Sequence, residues 1–479
     1  MTPQPGPFRM PSSLTNRRRF LAAGAAALGF PTIIPSTAIG KGGRPAPSER
    51  ITVGVLGFGT IAINWTGNFL NDPRCQVVAV CDLVKDSPHY GYRGELNGGR
   101  EVGRRMVDDF YGKQEKKPSK TCQTYTDFRE MFEKEDPSAV QICTPDHWHA
   151  YQVILAARQK RHIYAQKPLS LTIDEGKNMV AAVKDAGVVF QTGSQQRSDN
   201  FFRKACEIAR NGWIGKVKRV RVGLPGGHKD WNGSGMKQAP ETPPEGFDFD
   251  MWLGPAPEME YRPALQPLNW RHNFHFSGGM VTDFGAHHID IAHWGLGMDS
   301  TGPVSLEEVS GEMPPADALY NTAKKYKFTA KYANGAEIVV ADDSAKILPE
   351  IAELMAKDGK EFDHIGILFE GENGQWVYVN RGVIMANPTE VLRRKADAGE
   401  TSLLVSRNHT GNFFDAVYDG KPLITPVEVG HRSISVSHLA NIALRLGKSK
   451  IPWDPDAESS SDADVQAMLA REARKPWTI

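Results

Sequence analysis

The stretch "ITVGVLGFGTIA", residues 51–62, decides the fold. Its first six residues are mostly β-branched or apolar, and Gly57-Phe58-Gly59-Thr60-Ile61-Ala62 then fits the pattern G-x-G-x-x-[GA]. Such a strand turns tightly at its first glycine, lets a pyrophosphate approach at the second, and enters a helix whose free N–H groups and positive end face the phosphates. Next, "QVVAVCD" puts Asp82 at a second strand's end, at the interval of about 20 residues expected for a carboxylate that holds a ribose diol and repels a 2′-phosphate. A tightly bound NAD, rather than NADP, is the expected cofactor, held first by Gly57, Phe58, Gly59, Thr60, Ile61 and Asp82.

Working outward, "ITVGVLG", "CQVVAVCD", "AVQICTP", "RHIYAQKP" and "GVVFQTG" are rich in Val and Ile with little alternation. That texture indicates strands buried on both faces, hence a parallel sheet between helices. The fold class is α/β, with residues 50–195 as a doubly wound Rossmann domain. Ligands of open α/β sheets bind beyond the strands' carboxyl ends. Thr144, Pro145, Asp146 and His149 of "TPDHWHA" are therefore expected along a nicotinamide ribose, with His149 as a helix cap the alternative. Lys167 precedes Pro168, which favours an extended backbone there; it is either a surface lysine or, if desolvated, a group that exchanges protons with a hydroxyl. Residues 83–120 interrupt the pattern with "SPHYGYRGELNGGR", a charged helical stretch and "KQEKKPSK", a segment that either solvates a loop or joins the site.

Beyond Phe201 the texture changes. A Pro/Gly-rich connection, alternating runs such as "KYKFTAKYANGAEIVVA", and an Asn334-Gly335 turn predict a mostly antiparallel sheet in an α+β domain over residues 196–455. An inserted helix is expected over 347–358, helices near 408–447 are expected to pack back on the first domain, and residues 456–479 read as a tail. The densest stretch is "FHFSGGMVTDFGAHHIDIAHW", residues 274–294. If helical from Met280, it sets Asp283, His287 and Asp290 at i, i+4 and i+7, an imidazole flanked by two carboxylates on one face. A carboxylate-oriented histidine has a proton affinity near neutrality, suited to removing a hydroxyl proton. The cluster of His272, His275, His287, His288 and His293 also admits a metal, but no H-E-x-x-H or His/Cys pattern supports one, and none is expected.

The N-terminus "NRRRFLAAGAAALGF", residues 16–30, joins three arginines to an apolar run about half the length of a membrane span. With Ser36-Thr37-Ala38 at the cut it reads as a twin-arginine signal peptide over 1–38, followed by a linker over 39–49. The expected protein is periplasmic, exported folded by the twin-arginine machinery and without a stable membrane anchor. Setting aside the four arginines of the signal, 53 of 57 basic side chains remain against 56 acids, so there is no electrostatic footprint for nucleic acid. Five cysteines, with no C-x-x-C spacing, suggest neither a zinc motif nor a disulfide framework.

The ordered set "GFGTIA", "VCD", "TPDHWHA", "QKP" and "GGMVTDFGAHHIDIAHW" resembles the Gfo/Idh/MocA family over about residues 50–455. The resemblance implies a Rossmann domain, a second domain whose open sheet forms homo-oligomers, and catalysis by Lys167, Asp283 and His287. Gln166 stands where the family has Glu, beside the cofactor with Lys167, and Asp146 where it has Asn. Substrate contacts are expected from Arg197, Trp270, Arg271 and His288, with Trp270 as a core residue the alternative. The implied reaction is oxidation of a secondary hydroxyl on a sugar or cyclic polyol; a redox-neutral glycosidase, lyase or epimerase working through a keto-sugar is the other reading.

Overall fold

Six strands alternate with helices from β1 (Ile51–Leu56) onward: α1 (Thr60–Asn71), β2 (Cys75–Cys81), α2 (Arg100–Glu115), β3 (Gln123–Tyr125), α3 (Phe128–Glu135), β4 (Ala139–Ile142), α4 (Asp146–Arg158), β5 (His162–Ala165), α5 (Ile173–Ala186) and β6 (Phe190–Thr192). This computed structural model describes residues 45–88, 90, 96–115, 121–231, 233 and 239–478. The expected export signal lies outside them. Residues 45–49 are described by one 3-10 turn, Pro47–Glu49.

The first sheet has the order β3-β2-β1-β4-β5-β6, every pair parallel. Strand order reverses between β1 and β4, which leaves a crevice at their carboxyl ends. β4 is buried at all four residues, in line with its unalternated sequence. β3, three residues with a polar Gln123 exposed at the edge, carries too little apolar signal to be read from sequence. The 83–120 interruption contains α2, whose Val107 and Tyr111 pack against Val77 and Val80 of β2.

After α6 (Asn200–Arg210) come β7 (Arg219–Leu224), α7 (Phe249–Leu253), α8 (Met280–Asp283), α9 (Gly285–Leu296), β8 (Ser305–Glu312), β9 (Lys325–Lys331), β10 (Glu337–Asp342), α10 (Pro349–Lys357), β11 (Gly366–Glu370), β12 (Trp376–Asn380) and β13 (Val383–Asn387). The chain ends in α11 (His409–Asp419), α12 (Val427–Leu446), β14 (Ile451–Pro452) and α13 (Ala463–Ala467). The second sheet runs β13-β12-β11-β7-β10-β9-β8-β14; only β7 and β10 pair in parallel. β7 alternates between Val220 and Val222, which face the main core, and Arg219 and Arg221, which do not. The core face packs on Ile208 of α6, Ile289 and Ile291 of α9 and Leu439 of α12. On the other face Leu348, just before the inserted helix α10, and Ile351 within it cover Leu368 and Tyr378.

Two C-terminal pieces return to the first sheet. Phe413 and Phe414 of α11 pack with Phe69 and Tyr164, and Arg74 pairs with Asp415 at 2.6 Å. Val427 and Ile434 of α12 join Met179 and Val183 of α5, while its later residues sit in the core of the second sheet. At the end of the expected tail, Trp477 is buried edge-on against Trp148, 4.9 Å between centroids, under the Arg129 guanidinium. All five cysteines are free, four of them buried.

Candidate active site

Gly57 carries a φ of +78°, and a Cβ there would meet the Cys143 carbonyl and the Thr144 nitrogen at 3.0 Å, so β1 and β4 touch backbone to backbone at the crevice. Gly59 caps α1 with no side-chain bond to the first-turn N–H groups, which leaves them for a phosphate. Asp82 accepts from Phe58 N at 2.6 Å and Val84 N at 2.8 Å, which fixes its carboxylate at the end of β2. Gly57, Gly59, Thr60, Ile61, Asp82, Thr144 and Pro145 line one open cleft. Phe58 is fully buried and contributes its backbone N–H to Asp82. Bare glycines, open helix N–H groups and a placed carboxylate together fit a dinucleotide.

Sequence reasoning missed Tyr90. Its ring lies where a Cβ on Gly59 would meet it at 2.8 Å, and its hydroxyl donates to both Asp82 oxygens at 3.3 and 3.4 Å, in the place a ribose hydroxyl would take. The one signal for it was the length of the 83–120 interruption.

The chemistry lies at the carboxyl end of β5. Lys167 Nζ donates to Asp283 Oδ1 at 2.6 Å and to the Asp283 carbonyl at 3.0 Å. Arg271 Nε reaches the same Oδ1 at 3.3 Å, and Arg271 also lines the cofactor cleft, so it joins the two sites. Burial alone would raise the Asp283 pKa, but Lys167 and Arg271 hold it well below the usual carboxylate range. His287 leaves Nδ1 buried without a partner. Burial, then Lys167, Arg381 and His288, push its proton affinity far below the ordinary imidazole value. The near-neutral value expected from sequence is thus corrected: Asp283 is spent on Lys167 and Arg271 rather than on orienting His287.

Several expected contacts prove structural. The stretch from Met280 is two helices, and Asp290 has no part in the site: buried, it receives Arg197 Nε and Nη2 at 2.8 Å each, while Arg197 Nη2 also reaches Asp299 at 2.7 Å. Arg197, 2% exposed and saturated by two carboxylates, is a core ion pair and not a substrate contact. His288 is 1% exposed with Nδ1 3.4 Å from the Gly223 carbonyl. His149 is buried in α4, its ring nitrogens 2.7 and 2.9 Å from the Pro168 and Thr144 carbonyls, so it braces these loops. Trp270 is 6% exposed, yet it lines the cleft and stacks under Arg271 at 4.3 Å. Gln166 is buried, its Oε1 accepting from Gln195 at 3.2 Å and its Nε2 unpartnered. Asp146 accepts from Ser277 Oγ at 2.6 Å, and burial pushes its carboxyl up to about 7 against Ser277 and Arg271. Among the described residues no three His, Cys, Asp or Glu side chains gather as a metal site.

A parallel 3-2-1-4-5-6 sheet with a glycine cradle, followed by a large mixed sheet and a Lys–Asp pair beside a histidine, defines the class. The chain belongs to the Gfo/Idh/MocA oxidoreductase family: the "Oxidoreductase family, C-terminal alpha/beta domain" matches residues 201–479, and its "NAD-binding Rossmann fold" matches residues 111–194. Myo-inositol 2-dehydrogenase of Thermotoga maritima is 26% identical over 198 residues, 40% of this chain and 48% of that protein. The scyllo-inositol 2-dehydrogenase (NAD(+)) of Bacillus subtilis is 30% identical over 255 residues, 53% of this chain and 56% of that protein. The chain thus spans about half the length of these curated relatives. In fold it is similar to the WlbA dehydrogenase of Bordetella pertussis, whose structure holds NADH and UDP-GlcNAcA, with a TM-score of 0.55 and 16% identity over 85% of this chain and 99% of that one.

Proposed function

We propose that this protein oxidises a secondary hydroxyl of a sugar or cyclic polyol, with NAD held in the β1–β4 cleft. The observation that carries the reading is the Lys167–Asp283–Arg271 ion network beside His287, whose buried Nδ1 has no partner, at the carboxyl edge of a dinucleotide-type sheet. When bound, the nicotinamide supplies the acceptor for the hydride that leaves the substrate carbon. Lys167, held by Asp283 at 2.6 Å, donates a hydrogen bond to the substrate oxygen and stabilises negative charge there. His287, neutral because its proton affinity is low, takes the hydroxyl proton as the C–H bond breaks, and passes it on readily afterwards. Asp283 fixes the Lys167 ammonium, and Arg271 carries that order to the cofactor side.

The Asp82 carboxylate supports NAD over NADP, and the inositol dehydrogenases among the relatives support a polyhydroxylated substrate. Export by the twin-arginine route requires a cofactor taken up before export and retained afterwards. Purified protein loaded with NAD and offered inositols and hexoses is expected to show nicotinamide reduction. His287→Ala and Lys167→Ala should each lower turnover at least a hundredfold while binding NAD normally in equilibrium titration. Full activity in both variants would overturn the assignment.

A further inference from the structure

The second-sheet hairpin β12–β13 brings one more cation to the site. Arg381 opens its two-residue turn, held by its own N–H to Asn380 Oδ1 at 2.8 Å and followed by Gly382 at φ +72°. The side chain is exposed but placed: its guanidinium lies over the Phe284 ring at 5.7 Å, between the catalytic residues Asp283 and His287 in sequence. The Gln196 amide, oriented with its nitrogen on the His287 carbonyl at 3.2 Å and its oxygen on Arg381 Nε at 3.3 Å, ties the two together. Arg381 also depresses the proton affinities of His287 and His288, which places its charge in their field.

Lys167 and Arg271 both pair with one anion, Asp283, while Asp290 and Asp299 are taken up by Arg197. Asp146, the other nearby carboxyl, is pushed up to about 7 by burial. Among the described residues Arg381 makes no ion pair, and its planar fork matches a carboxylate or phosphate with two parallel bonds.

We infer that the substrate is an acidic sugar whose anionic group binds Arg381 while a ring hydroxyl lies between Lys167 and His287. This rests on the dehydrogenase reading of that site. The unpaired Arg381 charge draws the anion in, and its seat over Phe284 sets that anion beside the hydroxyl that reacts.

The test uses the full NAD-loaded protein and three sets of probes at matched concentration: neutral hexoses, their uronates and their 6-phosphates. Nicotinamide reduction gives kcat/KM, and calorimetric titration gives Kd. At least one acid is expected to exceed its neutral parent tenfold or more in both measurements, with the advantage shrinking as salt rises. Uronate against phosphate ester identifies which anion the fork accepts, and either supports the inference. Arg381→Gln should cut the acid-to-neutral ratio at least tenfold, and Arg381→Lys should restore part of it. Neutral parents used as well as the acids, or an unchanged ratio in Arg381→Gln, overturn the inference and leave the dehydrogenase reading standing. Failure of every sugar overturns both.

Discussion

Asp146 shows how one departure in a motif changes the physics of a site. Its carboxyl is buried at the start of α4, and burial outweighs the Ser277 hydrogen bond and the Arg271 charge, so the protonated form is favoured up to about pH 7, well above the unfolded value. A folded pKa that is raised contributes stability at low pH and loses it as pH rises through the folded value. Between about pH 4 and 7 the native protein therefore keeps a proton that the unfolded chain releases, and its stability falls as pH rises. Asp146→Asn keeps an acceptor for Ser277 and removes the titration. Denaturant unfolding should show the variant gaining on the parent by about 1–3 kcal/mol between pH 5 and pH 8. A pH-independent difference would show that this carboxyl does not titrate in that window. The residues of the glycine cradle and the Lys167–Asp283 pair were legible because each sits at a strand end or a motif position. Tyr90 and Arg381 were not, because a loop and a hairpin bring them to the site from positions to which no local pattern assigns a role.

At the scale of the element, helical periodicity went astray on residues 280–296. Positions i and i+7 do share a face, so Asp290 was expected beside His287. The helix instead breaks at Phe284, and α12 packs so closely that a Cβ on Gly285 would meet Ser437 Oγ at 2.5 Å. Two turns along, the turn Gln195–Ser198 brings Arg197 onto the helix, and Asp290 pairs with it. Periodicity tells which residues share a face but not which partner covers each length of it. Arg197→Met should thus destabilise by about 3–5 kcal/mol, since Asp290 is left charged and buried, with the shift read as a lower denaturant midpoint. In contrast to Arg381→Gln, the KM of the surviving folded protein should stay within about twofold; a raised KM at unchanged midpoint would return Arg197 to the substrate site. The same limit explains the strands: "GVVFQTG" declares itself by composition, whereas the polar edge strand β3 and "SLEEVSGE" of β8 are strands only because of what pairs with them.

For the molecule as a whole, the decisive element is α12. Its first turns belong to the packing of α5 and its later turns to the core of the second sheet. A helix anchored in two cores works as a tie rod: any hinge rotation of one sheet against the other would tear buried side chains from one end of it. On the proposed function, cofactor exchange is expected to depend on movement of side chains such as Tyr90 at the mouth of the cleft rather than on a clamshell closure. Paired spin labels on the exposed positions Lys184 and Lys357, on α5 and α10, should report the same separation with and without NAD. A shortening of several ångströms on loading would show that the rod yields. A frame of this kind trades speed of exchange for constancy of geometry, which would suit the retained cofactor proposed above.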